Sequence, residues 1–185
     1  MADIIKLQVP LSDEDTRSLN AGDEVEISGV VYTARDQAHK RLCASIDAGE
    51  KLPFELEGQV IYFVGPTPAA SGQVIGAAGP TTSSRMDAFS PMLIANGLKG
   101  MIGKGLRSEE VIESMKKNKA VYFAAVGGAA ALIAQTIKKS EVIAYPDLGA
   151  EAIHRYLVED FPAIVCIDSY GNNLYESEPP KYISE

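Results

Sequence analysis

The stretch Glu24-Val25-Glu26-Ile27-Ser28-Gly29-Val30-Val31-Tyr32-Thr33-Ala34-Arg35-Asp36 changes its period part-way through. Val25 and Ile27 alternate with polar neighbours, the two-residue repeat of a half-buried strand, and Gly29 admits a bulge or bend. Beyond Ala34-Arg35, Ala38, Leu42 and Ile46 recur every four residues from Asp36 to Ala48, and Gly49 follows as a stop. A strand therefore hands Arg35 to the mouth of a helix.

Upstream, Ile4 to Gln8 reads as a first strand, and Ser12 ahead of Asp13-Glu14-Asp15 starts a short helix. Downstream, Gln59 to Val64 is a strand closed by Gly65-Pro66. Residues 67–80 are rich in Gly, Ala and Pro, and Thr81-Thr82-Ser83-Ser84 then marks a helix start, with Pro91 restarting and Gly97 ending it. A Gly100–Gly103 strand follows, then a helix opened by Ser108-Glu109-Glu110 and a strand at Val121–Val126. The remainder reads as a small-residue helix from Gly128, a strand at Val142–Tyr145, a helix near Ala150–Val158 and a buried strand at Ala163–Ile167. A turn at Gly171-Asn172-Asn173 closes the series. Alternating strands and helices predict an α/β domain spanning residues 1–185, with two sheet layers and helices on one side.

The 185 residues are 46% hydrophobic and 23% charged, ordinary for a globular chain, so disorder and coiled coil are poor readings. Lys and Arg number 17 against 25 Asp and Glu, a net charge of −8. That balance opposes a general affinity for nucleic acid. The longest apolar run, Ala120 to Ile133, is broken by Gly127-Gly128 and is short for a membrane span. With two isolated cysteines and no secretory signal pattern, a reduced cytoplasmic setting is expected. Met1 followed so soon by a strand suggests a separate subunit rather than a piece of a fused chain.

Cys43 and Cys166 lie in apolar patterns, and with His39 and His154 they are too few and too scattered for a zinc site or an iron–sulfur cluster. No metal site is expected in this chain alone. The stretch Gly76-Ala77-Ala78-Gly79-Pro80-Thr81-Thr82-Ser83-Ser84-Arg85 offers free amides, hydroxyls and a guanidinium where a helix would begin. It suits a carboxylate or phosphate, although such hydroxyls also serve as plain caps. Lys104, between Gly103 and Gly105, can approach a ligand without crowding, or stand in solvent. His39, one turn beyond Arg35, could face the same site. Arg35, Arg85 and Lys104 all fall at element boundaries of an acidic protein, and a dianionic small molecule is their natural occupant.

Five ordered texts carry a resemblance: Ser28-Gly29-Val30-Val31-Tyr32-Thr33-Ala34-Arg35-Asp36-Gln37-Ala38-His39-Lys40-Arg41, Gly79-Pro80-Thr81-Thr82-Ser83-Ser84-Arg85-Met86-Asp87, Ile102-Gly103-Lys104-Gly105, Gly127-Gly128-Ala129-Ala130-Ala131-Leu132 and Asp160-Phe161-Pro162-Ala163. Together they resemble the β-subunit, or C-terminal, portion of the class I fumarase and L-tartrate dehydratase family, from about Leu7 to Tyr175. The resemblance implies a swivelling β/β/α-type single domain of an oxygen-sensitive hydro-lyase. It implies a [4Fe-4S] cluster with one substrate-binding iron, held by a partner α subunit in a hetero-oligomer. It further implies that Arg35, Arg85 and Lys104 bind a dicarboxylate substrate and that Thr81 is the base. Fumarate and tartrate both remain open as substrates, as does a non-catalytic carboxylate-binding or assembly domain.

Overall fold

Val60, Tyr62 and Val64 pack into one buried cluster, whereas Ile61 and Phe63 pack into another. Such alternation makes both faces of a strand apolar, so both must be covered. The computed structural model, which describes residues 4–125 and 130–178, shows what covers them.

The strands are β1 (Ile5–Gln8), β2 (Glu24–Thr33), β3 (Val60–Tyr62), β4 (Gly100–Gly103), β5 (Val121–Ala124), β6 (Ile137–Ala144) and β7 (Ile153–Ile167). The helices are α1 (Asp13–Ser18), α2 (Asp36–Asp47), α3 (Ser90–Ala95), α4 (Glu109–Asn118), α5 (Ala130–Thr136) and α6 (Leu174–Ser177). The sheet runs β1-β2-β3-β4-β5-β7-β6, and β7 also pairs with β2. Strands β2, β3, β4, β5 and β7 thus close into a five-stranded barrel. Within it β2 to β5 are parallel neighbours, and antiparallel β7 completes the ring against both β2 and β5. The sheet is therefore one closed layer and not the two expected from the sequence. A single long strand with edges on both sides does the work that a second sheet would have done.

Each of the five ring strands sends residues to the same inner cluster, among them Ile27, Tyr62, Ile102, Phe123 and Phe161. Alternate residues point outward, where Ala38, Leu42, Leu93, Val111 and Met115 from α2, α3 and α4 cover Ile61, Phe63, Met101 and Tyr122. These three helices link successive parallel strands, and all pack on the outer face. Crossovers between parallel strands require such coverage. The period change at Ala34-Arg35 is real: β2 ends at Thr33 and α2 begins at Asp36. The bulge expected at Gly29 is present too, as a register shift against β7 between Ile27 and Gly29. A side chain there would strike the Val9 carbonyl at 2.8 Å.

The helix expected near Ala150–Val158 is instead the first half of β7. Tyr156 and Val158 fill the barrel from an alternating pattern, and β2 and β6 flank them on either side. His154 accordingly lies on a strand. The strand before it is longer than expected, with β6 starting at Ile137 directly after α5. Nor do the four hydroxyls at 81–84 open a long helix. They lead into a single 3-10 turn, Ser83–Met86, whose preceding Thr82 makes no side-chain cap. Gly127-Gly128 lies outside the described residues. No helix among the described residues is long and apolar enough to cross a membrane.

Candidate functional site

Because β2, β3 and β4 are parallel neighbours, their C-terminal ends lie side by side, and each delivers one element of the site. Ligands commonly meet a parallel sheet at that edge. Beyond β2, Ala34 N–H donates to the Tyr62 carbonyl (3.2 Å), and Arg35 follows as the residue before α2. Beyond β3 the chain leaves at Val64 on an excursion and returns at Pro80, the two joined by an isolated bridge. Thr81 N–H then donates to the Phe63 carbonyl at 2.6 Å. Beyond β4, Lys104 pairs with Thr82 as a short parallel bridge. Ser83 fastens this pairing: its N–H donates to the Lys104 carbonyl (2.9 Å), and its Oγ accepts from the Lys104 N–H (3.1 Å). The returning segment 80–83 is wedged between the ends of β3 and β4.

The four residues singled out in the sequence therefore share one edge of the barrel. Their side chains are held differently. Arg85 donates through Nε (2.9 Å) and Nη2 to Oδ2 of Asp36, the first residue of α2, which ties the 3-10 turn to the Arg35 corner. Arg35 Nη2 lies 3.2 Å from Oε1 of Glu151, and its guanidinium passes over Gly65, where a Cβ would come within 2.6 Å of Nη1. Among the described residues, the Lys104 ammonium and the Thr81 hydroxyl have no such partner. Two ion-paired guanidiniums, an exposed ammonium and a hydroxyl make an open cationic ledge. Thr81 precedes the 3-10 turn and Arg85 lies within it, so one regular helical turn does not relate them; the strand-end wedge does.

His39 is not part of this ledge. It is fully buried, its ring edge-on to Phe63 with centroids 5.3 Å apart. Nδ1 lies 2.9 Å from the Arg35 carbonyl, which can only accept, so Nδ1 carries the proton and Nε2 is left without a partner among the described residues. Burial drives its pKa down to about 4, so the imidazole is neutral at pH 7. Both cysteines are free and buried. Burial raises both thiols, Cys166 to about 11, and Cys43 Sγ–H points to the Phe89 carbonyl at 3.7 Å. A cluster needs several convergent thiolates. Two protonated thiols do not fit one, and no group of three or more His, Cys, Asp or Glu among the described residues could hold a metal.

The family model for the fumarase C-terminus matches residues 1–178. The chain belongs to that family. It is 40% identical over 154 residues to the anaerobic class I fumarate hydratase of Escherichia coli, covering 82% of this chain and 28% of that protein. Against the aerobic class I fumarate hydratase of Salmonella typhimurium the identity is 36% over 176 residues, or 93% of this chain and 30% of the relative. The chain thus spans under a third of those two relatives. A Methanocaldococcus jannaschii protein provisionally named L(+)-tartrate dehydratase subunit beta is 37% identical over 172 residues, covering 90% of this chain and 88% of that one.

Beneath the ledge of this family member lie residues that sequence reasoning passed over. Arg107 is wholly buried; it donates through Nε to Asp87 Oδ1 (2.7 Å) and through Nη2 to Ser90 Oγ (2.7 Å). Its guanidinium also packs over the rings of Phe63 and Tyr122. The second Asp87 oxygen accepts from the Ser108 N–H at 2.7 Å, so one carboxylate joins the end of the 3-10 turn to the loop carrying Lys104. Tyr122 Oη meets Ser83 Oγ (2.9 Å) and donates to the Gly105 carbonyl (2.9 Å). Asp87 stood inside a quoted motif, but only burial distinguishes its partner, Arg107, from an ordinary loop arginine.

Proposed function

We propose that this chain is the β subunit of an iron–sulfur hydro-lyase that interconverts fumarate and L-malate, binding the dicarboxylate on the ledge formed by Arg35, Thr81, Arg85 and Lys104. The observation that carries the reading is the gathering of three cations and a hydroxyl at the adjoining ends of three parallel strands. Arg35, Arg85 and Lys104 hold the carboxylates and stabilise the charge that builds when a proton leaves the carbon beside one of them. Thr81 is the group that takes or returns that proton. A threonine hydroxyl is a poor base unaided, and the adjoining Arg85 and Lys104 favour its charged form. On this reading the [4Fe-4S] cluster belongs to a partner α subunit in a cytoplasmic hetero-oligomer, since the thiols of this chain do not suit it. The swivelling movement of a β/β/α-type domain would close the ledge over that partner.

L-Tartrate dehydration is the second reading, favoured by the near end-to-end match to the protein provisionally named as that enzyme's β subunit. The deciding experiment combines the chain with a cluster-loaded α subunit without oxygen and follows fumarate, malate and tartrate. Turnover of fumarate and malate supports the first reading, and turnover of tartrate alone supports the second. An inert complex makes the chain a binding or assembly domain. Thr81→Ala is expected to cut turnover about 100-fold or more with assembly unchanged, and near-normal turnover removes Thr81 from the chemistry. Arg85→Ala is expected to raise KM and lower kcat together.

A further inference from the structure

Arg35 and Arg85 are capped by carboxylates of their own chain, but not in the same way. The edge of a guanidinium formed by Nε and Nη2 is its best fork for a carboxylate. Arg85 has that fork filled, both donors going to Asp36 Oδ2. In Arg35 it is approached but not filled. Nη2 lies 3.2 Å from Glu151 Oε1, while Arg35 Nε and Glu151 Oε2 are each buried and without a partner among the described residues. The pair is shielded, with about four-fifths of each side chain out of solvent, so the two unmet atoms are costly to leave. Gly65 explains why the guanidinium reaches this position, since any side chain there would collide with it. Glu151 ends the 3-10 segment Pro146–Glu151, which is broken at Gly149 (φ 59°, ψ −120°). A Cβ built on Gly149 would meet nothing within 4 Å, so the outer side of that break faces open space.

We propose that Glu151 is an internal competitor for the substrate carboxylate on Arg35: it shields the guanidinium while the ledge is empty and yields when a dicarboxylate fills both Nε and Nη2. This rests on the reading of Arg35 as a carboxylate-binding residue. An incoming carboxylate makes two charge-assisted hydrogen bonds on that fork where Glu151 makes only an ion-pair contact, and it satisfies the buried Nε. The Glu151 side chain then swings outward, so its free oxygen regains water. The negative charge of Glu151 thereby sets how tightly the ledge takes a ligand, and it discriminates against monoanions, which have no second carboxylate to engage the exposed Lys104.

The test uses the enzyme assembled with its cluster-bearing partner. Two quantities are read: KM for fumarate, and the equilibrium dissociation constant of succinate, a dicarboxylate that lacks the double bond. Glu151→Gln is expected to lower both by roughly three- to fivefold, the scale of one partly shielded ion pair, with KM moving more than kcat. Glu151→Asp, which keeps the charge on a shorter arm, is expected to fall between. In an Arg35→Ala background, Glu151→Gln is expected to change neither quantity, because the competition needs both partners. A rise in KM and in the succinate constant for Glu151→Gln overturns the proposal and makes Glu151 an orienting clamp, as does an unchanged value while Arg35→Ala weakens binding. If Arg35→Ala itself leaves both quantities unchanged, the carboxylate-binding reading fails and the competitor falls with it.

Discussion

His39 donates Nδ1–H to the Arg35 carbonyl and keeps a bare Nε2 among Phe63 and Phe89, so protonating it in the fold would bury an unmet charge. Its pKa is about 4 in the folded chain against 6.5 when exposed. As pH falls through 6.5 the unfolded state takes up a proton first, and stability drops until pH reaches about 4. Above 6.5 the contribution is intact. The loss at the acid end is about 3 kcal/mol. Urea unfolding at pH 7.5 and 4.5 is expected to show a smaller pH dependence in His39→Leu than in the parent, whatever the two absolute stabilities. Equal dependence would mean that the imidazole is hydrated. The burial was legible in part: His39 and Cys43 are four apart and border the Ala38–Leu42 stripe. Spacing from Arg35 alone pointed to the ledge, because four residues on a helix bring the two close without saying which way the ring turns.

Elements, more than single side chains, decide whether the ledge exists. The 3-10 turn is tied to the Lys104 loop at one end by Ser83 and at the other by Asp87, through Arg107 and Ser108. Asp87→Ala is expected to cost about 3–5 kcal/mol, because it strands a buried guanidinium. Chemical denaturation measures that loss, and a change below about 1 kcal/mol would show that Arg107 finds another partner. The contact between β4 and the wedge is equally tight. A Cβ on Gly103 would lie 2.0 Å from Ser83 Oγ and 2.9 Å from a ring carbon of Phe63. Gly103→Ala is therefore expected to weaken dicarboxylate binding as well as stability, since it drives Ser83 off the Lys104 amide. Most elements could be read from the sequence because strand and helix periods differ sharply at places such as Ala34-Arg35. The second half of β7, Ala163–Ile167, was read as the buried strand it is; the stretch read as the wrong type was its first half. Its inward Tyr156 and Val158 stand beside half-buried Leu157, and Asp160 interrupts the strand with φ 50°. Alternation was thus broken just where it was needed, and pairing on both edges is visible only in three dimensions.

At the scale of the molecule, rigid and loose parts are separated, and the ledge lies at their border. The ring is held by inter-strand ladders, by an inner core of side chains such as Ile27 and Phe161 with no exposure, and by helices outside. The excursion from Gly65 to Gly79 has little of this. Residues 67–74 are exposed, and its internal ties are few: Thr67 N–H to the Ala77 carbonyl (3.1 Å), Gln73 N–H to the Ala70 carbonyl (3.0 Å) and Ala77 N–H to Thr67 Oγ1 (2.8 Å). Gly76 is obligatory in that knot, since a Cβ would fall 2.4 Å from the Thr67 carbonyl oxygen. Cavities of about 480, 560 and 310 Å³ adjoin Val74 between this excursion, α5, β6 and β7. A segment with few buried contacts opens at low free energy, whereas amides of a closed ladder open only with the whole. Hydrogen exchange is therefore expected to be fast over 66–77 and slowest in β2, β5 and the second half of β7, with β6 between because it lies outside the ring. Because Thr81 follows the excursion and is anchored to Phe63, ligand on the ledge is expected to slow exchange at 80–83 and leave the slowest ring amides unchanged. Protection of 66–77 equal to that of the ring would show that the excursion is a fixed wall, and the ledge would then owe its shape to that wall as much as to the barrel.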